Sequence, residues 1–330
     1  MMAARWGCMI WRRRGLGTRG GGGGALDRPW ADDDMRIGIL AQPESWYYRD
    51  LERAAQALGH ACERWDFPQL SGGVVQQREL LAAHSAPDKP PWETLPPDVL
   101  VVRTMPPGSL EQVIIRMDLL SRWEAHGTRV VNSPKSLECA IDKYLTTARL
   151  AAAGLPVPDT VVCETAEQAE AAFEQLGGDV VVKPLFGGEG RGIVRVSDPD
   201  LAHRVFHTLE RIHAVFYLQR FIDHGGSDLR LLVLDGRILG GMKRFARGGF
   251  RTNVAQAGHA EPHVPTDREC ELAWRAAAAT GVYFAGIDLL WDRDGRLYVI
   301  EVNAVPGWKA FGRVNRLDVA HVFLGTLARR

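Results

Sequence analysis

Apolar residues repeat along this chain with two different periods, and the switches between them mark the elements. Residues 35–41, MRIGILA, form an apolar run expected to be a buried strand. Residues 46–60, WYYRDLERAAQALGH, space their apolar positions for an amphipathic helix ending near Gly59. After a Pro-rich, polar stretch, PDVLVVRT (97–104) reads as a second buried strand. The helical pattern SLEQVIIRMDLLSRWEAHG and the short strand RVVNS follow. This alternation predicts a parallel sheet with covering helices. Ser133-Pro134 offers an N-cap and a proline at the first helical position, predicting a helix to about Ala153, where Gly154 and Pro156 stop it.

The second half changes character. TVVC reads as a strand, and Thr165 with Gln168 predicts a capping box on the next helix. DVVVKPLFGGEGRGIVRV (179–196) reads as strand, glycine loop, strand. A helix over about 199–212 and the strand VFYLQRFI (215–222) come next. DLRLLVLDGRILGGMKRF predicts a hairpin turning at Asp235-Gly236, and FAGIDLLWDRDGRLYVIEVN another turning at Asp294-Gly295. Between them HAEPH (259–263) is expected to be a loop. DRECELAWRAAAAT is expected to be a helix capped by Thr266 and Glu269. The hairpins give this half α+β character. Residues 1–34 combine an Arg cluster with a glycine run and show no period, so they are expected to be a disordered extension outside the fold.

Composition narrows the classes. At 330 residues and 46% hydrophobic, the chain has core enough for two or three domains. A formal net charge of zero lacks the basic footprint of a nucleic-acid binder. No apolar run approaches the roughly 18 residues of a membrane span. Neither nucleic acid nor membrane is an expected partner. Five cysteines lie far apart without a CxxC pair, which favours reduced thiols and a cytoplasmic location.

Against this background VIEVN is unusual. Glu301 and Asn303 share one face of a strand. A two-residue turn at Asp294-Gly295 would set Asp288 directly opposite Glu301. Opposed carboxylates, with Cβ atoms about 4.5–5.5 Å apart, repel each other. Water, a raised pKa or a cation relieves the clash. Asp288, Glu301 and Asn303 offer hard oxygens suited to Mg²⁺. The alternative is a solvated polar face, which the apolar neighbours in FAGIDLLW and LYVIEVNAV oppose. So sparse a magnesium site expects a phosphate ligand. Gly187, Gly188, Gly190 and Gly192 would bring backbone N–H groups close to an anion, with Lys183 and Arg191 adding charge. Taken alone, the loop reads equally well as a flexible hairpin. No GK[ST] follows, so it is not a Walker A loop.

Taken in order, Lys143 in AIDKYLTTARLAAAGLPVP, Lys183 in VVVKPLFGGEGRGI, YLQRFI, DLRLLVLDG, FRTN, GIDLL and VIEVNAVPG resemble an ATP-grasp enzyme. The chain is most similar to the RimK-type carboxylate–amine ligases over about 135–330, and its region 35–134 resembles the domain that precedes them. The resemblance implies an ATP-grasp fold behind a parallel α/β pre-ATP-grasp domain. A lid subdomain would cover about 155–215 and a C-terminal catalytic subdomain about 216–330. It implies ATP and Mg²⁺, with Mn²⁺ as a substitute. Lys143 and Lys183 would contact phosphates, with the glycine loop closing over them. Gln219, Arg220, Phe221 and Ile222 would line the adenine pocket, and Asp228 would reach the ribose. Arg251, Thr252 and Asn253 would lie by the phosphates and the reacting carboxylate, Arg251 and Lys183 being the catalytic pair. Asp288, Glu301 and Asn303 match the metal ligands.

One position departs from the pattern. Arg220 stands where the family carries a glutamate that contacts the adenine amino group. A guanidinium only donates, so either backbone carbonyls recognise the base or Arg220 points elsewhere. The Asp235-Gly236 turn would oppose Asp228 to Lys243. Arg244 and Arg247 are expected at an anion. Trp308 and Lys309 stand where the acceptor would lie.

The implied activity passes through an acyl phosphate to an amide. An amino acid such as glutamate would be added to a small-molecule or peptide carboxylate: a tetrahydromethanopterin-type cofactor, or a ribosomal-protein tail. A homo-oligomer is expected. The competing reading is a catalytically silent ATP-binding scaffold or regulator, which only Arg220 supports. His203 and His207 in HRVFH are one helical turn apart, but Arg204 fills the slot of a zinc-helix glutamate, so no zinc is expected there.

Overall fold

The computed structural model describes residues 34–83, 96–187, 191–246 and 259–329. The expected extension over 1–34 therefore lies, but for Asp34, outside the described residues. So do Gly188, Gly190, Arg247, Arg251, Thr252 and Asn253. The chain begins with β1 (Arg36–Leu40), α1 (Trp46–Ala57), β2 (Ala61–Trp65), the hairpin β3 (Leu70–Val75) to β4 (Arg78–Ala83), β5 (Val99–Val102), α2 (Leu110–Ala125) and β6 (Arg129–Val131). Strands β2-β1-β5-β6 form the parallel sheet that the alternation predicts. β2 and the β3–β4 hairpin escape the sequence reading because Glu63 and Arg64 interrupt the apolar residues of ACERW, and Ser71, Gly72 and Gly73 those of LSGGVV.

One helix becomes two. α3 (Pro134–Ile141) stops at Asp142, and α4 (Lys143–Ala152) starts there, with the Asp142 carboxylate accepting from Leu145 N. Asp142 acts as an N-cap inside an unbroken apolar pattern. That puts Lys143 at the first position of α4.

β7 (Thr160–Cys163), α5 (Ala166–Gln175), β8 (Val180–Lys183), β9 (Val194–Val196), α6 (Pro199–Arg211) and β10 (Phe216–Arg220) follow. They make an antiparallel sheet ordered β7-β10-β8-β9. β10 lies inside this sheet, which therefore extends past the boundary drawn at about 215. Thr165 caps α5 through Gln168 N.

The third sheet, β13-β12-β11-β14-β15, uses β11 (Ser227–Leu234), β12 (Arg237–Phe245), β13 (His259–His263), β14 (Phe284–Trp291) and β15 (Leu297–Asn303). HAEPH is thus a strand, not a loop. Its backbone pairs with β12, while His259 meets Glu261 and His263 meets Glu269. One face of this sheet packs Leu231, Val233, Ile287 and Val299 against Leu272, Ala273 and Ala276 of α7 (Asp267–Thr280). On the other face Leu232, Leu234 and Phe284 pack against α8 (Lys309–Asn315) and α9 (Val319–Leu327), together with β1 and α1. No helix among the described residues is long and apolar enough to cross a membrane.

Asn132, just after β6, ties the first sheet to the third. Its Nδ2 donates to Phe284 O at 2.7 Å and Ala304 O at 2.6 Å, and its Oδ1 accepts from Tyr283 N at 2.6 Å and Phe284 N at 2.9 Å. Both donors and both lone pairs of the side chain are used, at 2% exposure. Asn132→Ala would strand those four backbone groups away from water. It should destabilise the protein by about 3 kcal/mol, read as a lower urea midpoint at unchanged slope.

Candidate active site

The third sheet carries a polar row across one end of an otherwise apolar face. Arg230 pairs across strands with Asp288, which pairs with Glu301, while Gly286 pairs with Asn303. Asp228 shares the face of Arg230 and pairs with Arg244 of β12. The expected pairing of Asp288 with Glu301 is present, but by a different route. Asp292 N donates to Arg296 O and Gly295 takes φ 76°, so the turn holds three residues, not two. That shift is undone by a bulge on β15 at Ile300, after which the anticipated register returns.

The first hairpin has no such compensation. Asp235-Gly236 turns as expected, with φ 51° and 71°, yet Asp228 faces Arg244 and not Lys243. A bulge at Leu239–Gly240, where Gly240 takes φ 148°, moves the register by one residue. Arg244 Nε donates to Asp228 Oδ1 at 2.7 Å, and its Nη2 also lies 2.9 Å from Asp288 Oδ2. Arg230 grips Asp288 with two bonds of 2.7 Å each. Gly286 makes this possible, since a Cβ there would sit 3.3 Å from Arg230 Cδ and Nε. Asp288 is 5% and Arg244 3% exposed. Burial alone would raise the Asp288 pKa, but Arg230 and Arg244 outweigh it and hold the carboxyl below its ordinary range. Burial likewise works against the Arg244 charge, and Asp288 and Asp228 more than restore it.

Facing this row are the two lysines. Lys183 at the end of β8 donates to Gln219 Oε1 at 2.7 Å. Gln219 Nε2 in turn donates to Tyr217 OH and Thr160 Oγ1, both at 3.1 Å. Gln219 is thus a strut for Lys183 as well as part of the cleft wall. Lys143 Nζ donates to Gly187 O at 2.7 Å, joining α4 to the glycine loop. Gly192 takes φ 72°, and a Cβ there would lie 2.9 Å from Pro184 Cγ, so this corner of the loop requires glycine. One cleft is lined by Lys143, Lys183, Gly187, Arg191, Gln219 to Ile222, Asp228, Arg244, Asp288 and Glu301. Arg220 turns its guanidinium toward Asp159, with Nη2 3.4 Å from the carboxylate, and Phe221 lies under Arg195 at 3.5 Å.

A second cavity of about 910 Å³ shares Arg244 and Glu301 with the cleft and also exposes Asn303, Arg230, Arg103, Lys309 and Arg313. Trp308 lines its wall but is 1% exposed. Its Nε1 donates to Asp50 at 2.8 Å, and its ring packs on Tyr47 and Phe284. It is a core side chain that also forms part of the cavity wall.

The oxygens of Asp288, Glu301 and Asn303 fit a magnesium ion. They are hard donors on rigid strands, and the Glu301 carboxylate has no hydrogen-bond partner among the described residues. Asn303 Oδ1 already accepts from Val305 N at 3.0 Å, which fixes its orientation and leaves a lone pair. On the molecule's surface, Glu170 of α5 approaches His203 at 2.7 Å and His207 at 3.4 Å, supplying from another helix the carboxylate that HRVFH lacks. Arg230, Arg103 and Asn132 were missed from the sequence. For Arg230 a signal existed, a charge two residues from Asp228 on an apolar strand.

A family model described as RimK-like ATP-grasp domain matches residues 140–327. The tetrahydromethanopterin:alpha-L-glutamate ligase of Methanosarcina acetivorans is 34% identical over 77% of this chain and 82% of that protein. A probable alpha-L-glutamate ligase of Mannheimia succiniciproducens is 29% identical over 88% of this chain and 97% of its own length. The ATP-grasp ligase PsnB, solved with a minimal precursor, Mg and ADP, superposes with a TM-score of 0.67 at 21% identity over 89% of this chain and 98% of that one, a likeness of fold.

Burial lowers the Lys183 pKa from 10.5 to about 8; Glu301 and Asp288 oppose the shift and Lys143 adds to it. Between about 8 and 10.5 the unfolded chain holds a proton that the folded chain has lost, so this group's contribution to stability rises with pH across that window. Anion binding has the opposite sign, because it needs the ammonium form. Affinity for Mg-ATP should fall as pH rises through about 8, approaching tenfold per pH unit above it. Lys183→Arg should remove that inflection in a calorimetric titration series.

Proposed function

The chain belongs to the RimK-like ATP-grasp family and is an ATP-dependent carboxylate–amine ligase; we propose that it adds glutamate, or a close analogue, to the carboxylate of a cofactor or peptide. The relatives named tetrahydromethanopterin:alpha-L-glutamate ligase support a pterin-type cofactor as acceptor, and the precursor bound to PsnB supports a peptide. The observation that carries the reading is the polar row itself. Asp288, Glu301 and Asn303 stand between two cavities that share Glu301 and Arg244, so nucleotide and acceptor would meet there.

In this reading the acceptor carboxylate attacks the γ-phosphorus of ATP, ADP departs, and the amine then displaces phosphate from the acyl carbon. Lys183, braced by Gln219, and Lys143 would neutralise phosphate oxygens. Arg251, Thr252 and Asn253 are proposed at the reacting carboxylate. Arg230 and Arg244 keep Asp288 ionised and fixed. Bound Mg²⁺, for which Mn²⁺ would substitute, would supply charge neutralisation on the phosphates, with Asp288, Glu301 and Asn303 as its protein oxygens. The lid sheet would exclude the water that hydrolyses acyl phosphates. A homo-oligomer is proposed. A silent ATP-binding scaffold is not favoured, because the lysines and the acidic set are both present.

The test is ADP release from Mg-ATP with glutamate or hydroxylamine as the amine and a panel of carboxylate acceptors. Asp288→Asn and Glu301→Gln should each lower turnover by about 100-fold or more. If no acceptor yields ADP and Asp288→Asn binds Mg-ATP as tightly as wild type, the ligase reading fails.

A further inference from the structure

The second cavity holds more positive charge than its own carboxylates satisfy. Arg53 is engaged by Asp50 and Asp318, and Arg230 and Arg244 by Asp288. Arg103, Lys309 and Arg313 also line the cavity, and none has a carboxylate partner among the described residues. Arg103 is the most constrained of them. Its guanidinium lies 4.4 Å from the centre of the Trp308 ring and 4.9 Å from that of Tyr47. Among the described residues its guanidinium makes one hydrogen bond, from Nη2 to Pro306 O at 2.9 Å, and its buried Nε has no partner. Burial brings its pKa down to about 10, which still leaves it charged at neutral pH. Aromatic faces stabilise a cation without neutralising it, so this guanidinium lacks a counter-ion. Lys309 is splayed over Trp46 at 5.2 Å, and Arg313 stands exposed one turn along α8.

We propose that Arg103, Lys309 and Arg313 form an anion subsite that binds a second acidic group of the acceptor, a carboxylate or a phosphate, apart from the carboxylate that reacts. The reacting end lies where the cavity meets the nucleotide cleft at Arg244 and Glu301. The subsite is built from other elements, the segment after β5 and helix α8. It selects acceptors with at least two acidic groups and rejects simple monocarboxylates. This inference rests on the cavity being the acceptor site of the proposed ligase.

Calorimetry on the full chain, saturated with Mg²⁺ and a non-hydrolysable ATP analogue, tests it with three probes. N-acetyl-Glu-Glu carries additional carboxylates, N-acetyl-O-phosphoserine carries a phosphate, and N-acetylglycine carries one carboxylate alone. At least one of the first two should bind about tenfold or more tighter than N-acetylglycine, with affinity falling as salt rises. Which of them binds tighter identifies the anion. Arg103→Met and Arg313→Gln should each remove most of that advantage, and Arg103→Lys should keep part of it. Since Arg103 is packed between rings, the exposed Arg313 provides a variant free of folding effects. Equal binding of all three probes, no binding, or an advantage that survives Arg313→Gln together with Arg103→Met overturns the subsite. If Asp288→Asn abolishes ADP release while probe binding ignores charge, only the subsite falls. If ADP never forms while binding follows charge, only the ligase reading falls.

Discussion

Asp288 is a buried carboxylate held by two guanidiniums, and the third sheet is arranged around keeping it so. A buried ion pair contributes little net stability, because desolvation offsets attraction, yet removing one partner costs about 3–5 kcal/mol. The row Arg244–Asp228–Arg230–Asp288 therefore acts mainly as a constraint on position. A slip of one residue in any of its strands would turn the charges into the apolar layer against α7. The sheet can hold this register only with bulges at Ile300 and at Leu239–Gly240, and with Gly286 leaving room for Arg230.

The same constraint explains why sequence reasoning was right about one hairpin and wrong about the other. Asp288 opposite Glu301 was legible, but two departures cancelled: the turn at Gly295 is one residue longer than assumed, and Ile300 takes up the difference. Asp228 opposite Lys243 failed because one bulge acted alone. The double glycine at Gly240-Gly241 was the available signal, as glycine inside a strand often marks a bulge. Turn chemistry is local and readable, whereas a bulge is set by what the strand must meet on its neighbour. Asp142 shows the same limit in a helix: its apolar surroundings continue the pattern, and only its capping geometry separates α3 from α4.

Residues whose partners are distant in sequence were the ones least visible. Asn132 bonds to residues more than 150 positions away, and Arg103 to Pro306, 203 positions away. Neither belongs to a motif. Trp308 follows the acidic strand as a buried wall on which Arg103 rests. Lys183, Asp288, Glu301 and Asn303 were legible because each interrupts or ends a strongly apolar strand, where a polar group is conspicuous.

The two cavities draw on different parts of the chain. The side chains lining the first cleft come from residues 140–302. The added walls of the second cavity come from α1, from Arg103 and from α8. Arg103 follows β5, its backbone N–H held by Leu40 O at the end of β1. It thus stands at the carboxyl end of a parallel sheet, where open α/β sheets commonly bind ligands. Trp308 couples the two halves through Asp50, Tyr47 and Phe284. Acceptor choice can then change through residues such as Arg103 and Arg313, while the charge row that fixes Asp288 stays as it is.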